Sequence, residues 1–295
     1  MIDIPEELVE TQTKYNGEPG RAFIAALPDR AAHFLDAWQL TPTGPSMYGM
    51  ASLVLPVTRA DGTPAALKMQ LLDEESEGEP VALRIWDGAG AVRLLDDDPA
   101  TNTMLLERLD ETRHLSTVED SRKAVQILAE LLARLTAVQA PAGMRTLGAI
   151  ARRMLDGVPA ALASVPEQAQ RQVILGCAAA VREVADEPGD RLLHWDLHYD
   201  NILAADREPW LAIDPKPLAG DPGFDLMPAL DNRFDLAEVP YRFDLMTEVL
   251  GLDRDRARAW VLGRALQNLL WEIEDEELDG LEGEQFAIAR LFLGR

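Results

Sequence analysis

Apolar and polar residues follow three different rhythms along this chain. Up to about residue 27, polar residues, glycine and proline are mixed with no sustained period, which predicts an irregular lead-in. Leu27-Pro28 then opens a short helical pattern, with Ala31, Phe34, Leu35 and Trp38 at helical spacing. Strand patterning follows. Ser52-Leu53-Val54-Leu55-Pro56-Val57 reads as one strand and Ala65–Leu71 as its return, and the Asp-Gly pair of Arg59-Ala60-Asp61-Gly62 tolerates the positive φ of a hairpin turn. A helix is predicted from about Glu75 to Trp86, and strands near Ala91–Leu95 and Thr103–Leu109. From Thr117 onward the apolar period becomes helical, with Ala124, Ile127, Leu128, Leu131, Leu132 and Leu135 on one face. Helical stretches continue through about 149–163 and 167–185. The change near residues 110–116 predicts an α+β chain, with a small β-rich lobe over residues 1–110 and a larger, mainly helical one over residues 111–295.

Composition narrows the class. With 295 residues, 47% hydrophobic and 27% charged, the chain can bury a large core without a metal or disulfide staple. Its one cysteine, Cys177, rules out an internal disulfide and reads as a buried helix residue. The 28 Lys and Arg stand against 51 Asp and Glu, a formal charge of −23, which argues against a nucleic-acid partner and fits attraction of cationic small molecules. No apolar run reaches the roughly 18 residues a membrane span needs, so no membrane partner is expected. The first residues, Met1-Ile2-Asp3-Ile4-Pro5-Glu6-Glu7, carry neither the basic start nor the apolar run of a secretory signal, and the expected compartment is the cytoplasm. The acidic run Glu272–Asp279 reads as a helix end and the solvated loop that follows it.

The chemistry concentrates in Leu192-Leu193-His194-Trp195-Asp196-Leu197-His198-Tyr199-Asp200-Asn201-Ile202-Leu203, followed by the strand Trp210-Leu211-Ala212-Ile213 that delivers Asp214. Phosphoryl transfer to an alcohol needs a carboxylate to orient the hydroxyl and take its proton. It also needs an amide oxygen and a second carboxylate to hold Mg²⁺ against the nucleotide phosphates. Asp196, Asn201 and Asp214 form such a set. A rival reading of the same segment is a metal-dependent hydrolase, with His194, Asp196 and His198 as ligands on one strand face.

The His-x-Asp-x4-Asn segment resembles the catalytic loop of kinase-like phosphotransferases, and in its His194-x-Asp196-Leu197-His198 form the aminoglycoside phosphotransferases. Further blocks are similar to the streptomycin 6-kinase type, the aminoglycoside/hydroxyurea resistance kinases. They are Ala82–Gly88, Leu105–Leu109, Arg207–Lys216 and Gly220-Asp221-Pro222-Gly223-Phe224-Asp225-Leu226, within a resemblance spanning roughly residues 43 to 275. The resemblance implies a two-lobed protein-kinase-like fold, ATP as donor (GTP being the alternative) and Mg²⁺. It implies Asp196 as catalytic base, and Asn201 and Asp214 as metal ligands.

Upstream it implies Lys68 on the phosphates with Glu79 as its helix partner, and Lys68 is the only lysine between Lys14 and Lys123. Gly44-Pro45-Ser46-Met47-Tyr48-Gly49 would be the phosphate loop, reaching the nucleotide with Ser46 and the Gly49 amide, although Pro45 removes one donor. Leu106–Leu109 would be the hinge, with backbone groups of Glu107 and Leu109 on adenine. Asp225 would hold the catalytic loop by accepting backbone N–H bonds, while His194 packs that loop and His198 partners its backbone. Asp221 before Pro222 reads as a helix N-terminal residue. Trp195 stands where relatives carry Gly or Arg, and Asp214-Pro215-Lys216 replaces Asp-Phe-Gly, so no switching activation loop is expected. A non-catalytic pseudokinase is disfavoured because lysine, base, amide and metal carboxylate are all present.

The acceptor, a cationic or polyhydroxylated small molecule such as streptomycin, with a sugar, nucleoside, peptide antibiotic or hydroxyurea as the alternative, should meet the region after residue 225. Asp231, Asn232 and Asp235 lie there. In the helix from about Asp255 to Asp275, Leu262, Leu266, Leu269 and Ile273 form one face, with Trp260, Arg264, Gln267, Trp271 and Asp275 roughly opposite. Such a helix either packs on both sides or lines a pocket, and Trp271 and Asp275 are its candidate acceptor contacts. The expected assembly is a monomer or homodimer.

Overall fold

The computed structural model describes residues 2–275 and 282–294; the loop expected after the acidic helix end lies outside them. The chain divides into two compact units. The first holds residues 1–110 with 205–209, and the second holds 111–204 with 210–295.

The first unit opens with α1 (Glu6–Ala37), so the expected irregular lead-in is instead helical. Gly17, at φ 53° and ψ −123°, breaks the helix into two segments; this left-handed value favours glycine, and Pro19 follows in the first turn of the second segment. A Cβ on Gly20 would run into the carbonyl of Gln12, so the two segments approach as closely as they do only because residue 20 has no side chain. Phe23, Leu27, Ala31 and Phe34 recur at helical spacing. With Leu8 they pack on Leu53, Leu55, Val57, Leu67 and Met69. Gly and Pro at 17–20 mask this period in the sequence.

After α1 come β1 (Thr41–Pro42), β2 (Met47–Tyr48), β3 (Ser52–Thr58), β4 (Pro64–Gln70), α2 (Glu79–Trp86), β5 (Leu94–Asp98) and β6 (Thr103–Glu107). The strands form one antiparallel sheet in the order β1-β3-β4-β6-β5, with β2 added on β3. The β3–β4 turn closes as expected at Gly62, whose φ is 85° and whose N–H donates to the Arg59 carbonyl at 2.9 Å. Helix α2 starts four residues later than predicted. The Asp73 carboxylate accepts the N–H groups of Glu75 and Ser76 at 2.9 and 2.7 Å, so an Asx turn occupies the predicted first turn. Strand β5 is shifted toward the C-terminus because Gly88 and Gly90, at φ 80° and 87°, prolong the turn ahead of it.

The second unit comprises β7 (Asp110–His114), α3 (Ser121–Leu135), α4 (Leu147–Ser164), α5 (Gln168–Val184), β8 (Arg191–Leu193), β9 (Ile202–Ala204), β10 (Leu211–Ala212), β11 (Leu218–Gly220), α6 (Met227–Asp231), α7 (Val239–Leu250), α8 (Arg254–Glu274) and α9 (Glu284–Phe292). Two small antiparallel pairings, β9 with β10 and β8 with β11, bracket the His194–Asn201 segment. Helix α8 is buried on nearly every side from Ala257 to Leu270, so both of its faces are packed, and at Arg264 and Asn268 it also lines a cavity. Cys177 is buried in α5. Among the described residues, no helix is long and apolar enough to cross a membrane.

If the N-terminal helix belongs to the core, Leu8→Ala should lower the unfolding free energy by about 2–5 kcal/mol in urea titrations. A denaturation midpoint matching the parent chain would mean that residues 6–16 do not contribute to the fold.

Candidate active site

In the first unit, β4 alternates its side chains, so Lys68 and Gln70 share one face of the strand. Both reach Glu79, the first residue of α2. Lys68 Nζ lies 2.7 and 2.8 Å from the two carboxylate oxygens, and Gln70 Nε2 donates to Oε2 at 2.6 Å. Glu79 is fully buried and Lys68 is 4% exposed. A buried ion pair gains little stability over apolar side chains of the same volume. Sequence reasoning did not single out Gln70; its place two residues after Lys68 was the available signal.

The loop expected over phosphates is arranged differently from the expectation. The Ser46 hydroxyl donates to the Asp3 carbonyl, because the segment leading into α1 runs beside this loop. The Gly49 N–H closes the β2–β3 hairpin on the Ser52 carbonyl at 3.0 Å. Both donors are thus engaged within the protein. At the end of β6, the Glu107 N–H donates to the Arg93 carbonyl at 3.0 Å, and its carboxylate receives Arg207 through Nε at 2.9 Å and Nη2 at 2.6 Å. Arg207 also donates to the carbonyls of Gly88 and Ala91 at 2.7 and 2.8 Å. Any contact of Glu107 with a base is thereby left to its carbonyl. Leu109 is buried just beyond the strand.

In the second unit the His194–Asn201 segment is held from outside. Asp225 lies in the short 3₁₀ turn Pro222–Leu226, which starts at Asp221, whose carboxylate caps Gly223 N at 2.8 Å and receives Arg256 Nε at 2.6 Å. The two Asp225 oxygens accept the N–H groups of His194 at 2.9 Å and Trp195 at 2.7 Å. Trp195 has φ 69°, a left-handed conformation that costs a bulky residue of order 1 kcal/mol or more, and the paired hydrogen bonds impose it. Burial pushes the Asp225 carboxyl up to about 7, against the pull of those two N–H groups.

His194 is fully buried and held neutral, its pKa pushed down to about 3 by burial. Its Nε2 pairs with the Ile213 carbonyl at 3.0 Å, and its Nδ1 accepts the Asp196 N–H at 3.3 Å. Both ring nitrogens are thereby engaged, which removes His194 from the hydrolase ligand set. Among the described residues no group of three or more His, Cys, Asp and Glu is arranged to hold a metal. His198 Nδ1 accepts the Asp200 N–H at 3.3 Å, and its own N–H donates to the Asp196 carbonyl at 3.2 Å.

Asn201 Nδ2 donates to the Asp196 carbonyl at 2.9 Å, so its amide oxygen is the atom presented on the other side. Asp214, at φ 56°, receives Lys216 Nζ at 3.0 Å. An amide oxygen and a carboxylate are hard oxygen donors, and this set fits Mg²⁺. Arg145 fixes the strand beyond, donating to the carbonyls of Lys216 and Pro217 at 2.7 and 3.1 Å, with its guanidinium 4.0 Å from the Trp195 ring centroid.

Asp196 opens onto a cavity of about 220 Å³, lined further by His198, Asp231 and Asn232. Burial pushes the Asp196 carboxyl up, while His198, Arg264 and Lys216 pull it back. Asp231 accepts Gln285 Nε2 at 2.8 Å, and burial raises it to about 6 against the effect of that bond and of Arg264. Asn232 accepts the Tyr199 N–H at 3.3 Å.

The other acceptor candidates are not brought to this cavity. Asp235 is exposed and caps the turn before α7 through the Ala237 N–H at 3.0 Å. Asp275 is an exposed residue at the C-terminus of α8, one turn too far along the helix. Trp271 is 39% exposed, meets Trp195 at 6.2 Å between ring centroids and is not among the residues lining the cavity. In their place stand Arg264 and Asn268 from α8 and Gln285 from α9. Arg264 was legible as a polar position on its helix; Gln285 carried no local signal.

Known proteins resemble this chain in sequence and in fold. Residues 37–276 match the aminoglycoside/hydroxyurea antibiotic resistance kinase family. A hydroxyurea phosphotransferase of Kitasatospora aureofaciens is 59% identical, over 100% of this chain and 87% of its own. A streptomycin 6-kinase of Streptomyces glaucescens is 56% identical, over 93% of this chain and 92% of its own. Among solved structures, a choline/ethanolamine kinase family protein from Mesorhizobium loti superposes with TM-score 0.64 at 21% identity, covering 91% of this chain and 93% of its own. A thermostable mutant of aminoglycoside phosphotransferase APH(4)-Ia, in ternary complex with ADP and hygromycin B, gives 0.61 at 14% identity, covering 89% and 97%. The fold is that of the protein-kinase-like phosphotransferases, as the sequence motifs led one to expect.

Asp225→Ala should strand two buried N–H groups at about 1–3 kcal/mol each and lower the denaturation midpoint accordingly. A loss below about 0.5 kcal/mol would show that the His194–Trp195 backbone finds other acceptors.

Proposed function

The chain belongs to the aminoglycoside/hydroxyurea antibiotic resistance kinase family and is a small-molecule phosphotransferase; from that premise we propose that it moves the γ-phosphoryl group of ATP, with Mg²⁺, to a hydroxyl of a small antibiotic carrying a urea- or guanidine-type group. The observation that carries this reading is the placement of Asp196. Its carboxyl is tied through Asn201 to the candidate metal ligands and opens on the other side to a polar cavity of about 220 Å³. Hydroxyurea and streptomycin both have the required hydroxyl and nitrogen-rich group, and relatives named for each are more than half identical to this chain.

In this reading Asp196 accepts a hydrogen bond from the acceptor hydroxyl, orients its oxygen toward the γ-phosphorus and takes the proton as the new P–O bond forms and the bond from that phosphorus to the bridging oxygen breaks, releasing ADP. Burial of the carboxyl raises its basicity, against the pull of nearby His198, Arg264 and Lys216. Asn201 and Asp214 would hold Mg²⁺, which supplies neutralisation of phosphate charge when bound. Lys68, fixed by Glu79 and Gln70, would steady the phosphates of the donor. The buried His194 and Asp225 act on the backbone of the loop and meet no substrate.

The test is mass spectrometry of hydroxyurea, streptomycin and other aminoglycosides after incubation with the protein, ATP and Mg²⁺. One added phosphoryl group is expected on at least one of the first two. Asp196→Asn should abolish that product while leaving ATP affinity within about threefold, since the base meets the acceptor and not the nucleotide. No product with any member of the panel would overturn the reading.

The acceptor KM should also depend on pH in a set direction. Burial raises Asp231 to about 6, and its carboxyl accepts N–H donors more strongly when ionised, so KM should fall as pH rises from about 5 to 7.5. Asp231→Asn should flatten that dependence; an unchanged profile would remove Asp231 from acceptor binding.

A further inference from the structure

The loop between β9 and β10 carries a cation whose partners lie far back in the chain. Residues 205–209 belong to the first unit, although the strands on either side of them belong to the second. A guanidinium has five N–H donors in a fixed plane, and each donor of Arg207 has a partner. Nε donates to Glu107 Oε2 at 2.9 Å, and Nη2 donates to Glu107 Oε1 at 2.6 Å and to the Ala91 carbonyl at 2.8 Å. Nη1 donates to the Gly88 carbonyl at 2.7 Å and to Glu208 Oε1 at 3.1 Å. The Arg207 and Glu107 side chains are only 22% and 18% exposed, so this two-pronged pair is screened less than one at the surface.

Glu107 ends β6, and its polar groups are used in a set order. Its N–H donates to the Arg93 carbonyl at 3.0 Å, and its Oε1 accepts the Arg93 N–H at 2.8 Å besides the bond from Arg207. With the N–H and the carboxylate both engaged, the carbonyl is the group that Glu107 can offer to a base. Adenine presents a matching donor in its 6-amino group. The residue whose carbonyl Arg207 takes is a glycine at φ 80°, and a Cβ on Gly88 would stand 3.2 Å from Arg207 Nη2. Helix α2 has holds of its own. Glu79 at its start gathers Lys68 and Gln70, and Arg84 pairs with Asp97 on β5. The Lys68 end and the Glu107 end of the first unit are thus fixed by separate contacts.

Resting on the ATP donor proposed above, we propose that Arg207 is a positioning residue for the nucleotide base: it holds Glu107 so that the Glu107 carbonyl meets the 6-amino group of adenine, and it does so without touching the nucleotide. The planar fork fixes the carboxylate at two points, and Arg93 fixes the N–H, so the peptide that follows Glu107 has one orientation. Without Arg207 the carboxylate is released and that peptide turns. The bond to the amino group is then lost, while the phosphate contacts of Lys68 stay in place.

The experiment is calorimetric titration, with Mg²⁺, of ATP and of purine riboside triphosphate, which lacks only the 6-amino group, into the full chain and into R207A and R207K. The parent should bind ATP at least about fivefold more tightly than the analogue, as one neutral hydrogen bond predicts. R207A should weaken ATP by about that factor and leave the analogue within about twofold, closing the gap. R207K keeps the charge without the planar fork and should narrow the gap without closing it. If R207A does not fold, R207K decides, and a gap unchanged from the parent overturns the assignment. Equal affinities in the parent, a gap that survives R207A, or a loss shared equally by both nucleotides would also overturn it, the last being the mark of a merely structural role. No binding of either nucleotide to the parent would overturn the proposed donor and this role together. A gap closed by R207A in a protein that phosphorylates neither hydroxyurea nor streptomycin would instead overturn the proposed acceptor and leave the role of Arg207 standing.

Discussion

Two hydrogen bonds of one carboxylate organise the second unit of this protein. Asp225 accepts the consecutive N–H groups of His194 and Trp195, which no regular strand pairing would satisfy because the chain turns into a left-handed conformation there. The turn directs Asp196 away from the path of β8. Once it is made, the remaining bonds follow. His194 ties the loop to the Ile213 carbonyl just ahead of Asp214, and Asn201 closes the loop back on the Asp196 carbonyl. The anchor is itself anchored, through Asp221 and Arg256, to the start of α8. Gly223 allows that contact, since a Cβ there would lie 2.8 Å from the Ala257 Cα.

Charge is handled locally, against the sign of the whole. The chain is strongly acidic, yet Asp196, Asp225 and Asp231 all feel the Arg264 cation, and burial raises the pKa of each. Burial alone would favour their protonated forms; a cation fixed on aromatic faces opposes this without the mobility of a surface lysine. In the first unit, Glu79 similarly gathers Lys68 and Gln70, and Glu107 gathers Arg207. Neither is an exposed ion pair of the kind that contributes little.

The sequence reads well where chemistry and periodicity coincide. The catalytic segment, the Lys68–Glu79 pairing, the hairpin at Gly62 and the bounds of α4 and α5 could all be read from neighbours along the chain. The N-terminal helix could not, because Gly17, Pro19 and Gly20 are poor helix formers on any local scale, and only the sheet beneath them makes the segment helical. Ser46 and Gly49 have the residue types of a phosphate loop, but their donors find the Asp3 and Ser52 carbonyls first. Residue type states what a group can bond; the folded chain decides which partner is nearest.

The same division holds for the acceptor cavity. The sequence by itself determined the reaction class, because phosphoryl transfer needs a base, an amide oxygen and a metal carboxylate at short fixed spacings, and Asp196, Asn201 and Asp214 stand within one hairpin of each other. It did not determine which residues line the cavity beside Asp196. Several come from α6, α8 and α9, elements far apart in the chain, and helix packing decides that Arg264, Asn268 and Gln285 line the cavity while Asp235 and Asp275 are exposed. Short-range spacing is written in covalent geometry. Long-range juxtaposition is set by which surfaces pack, and no local pattern carries it.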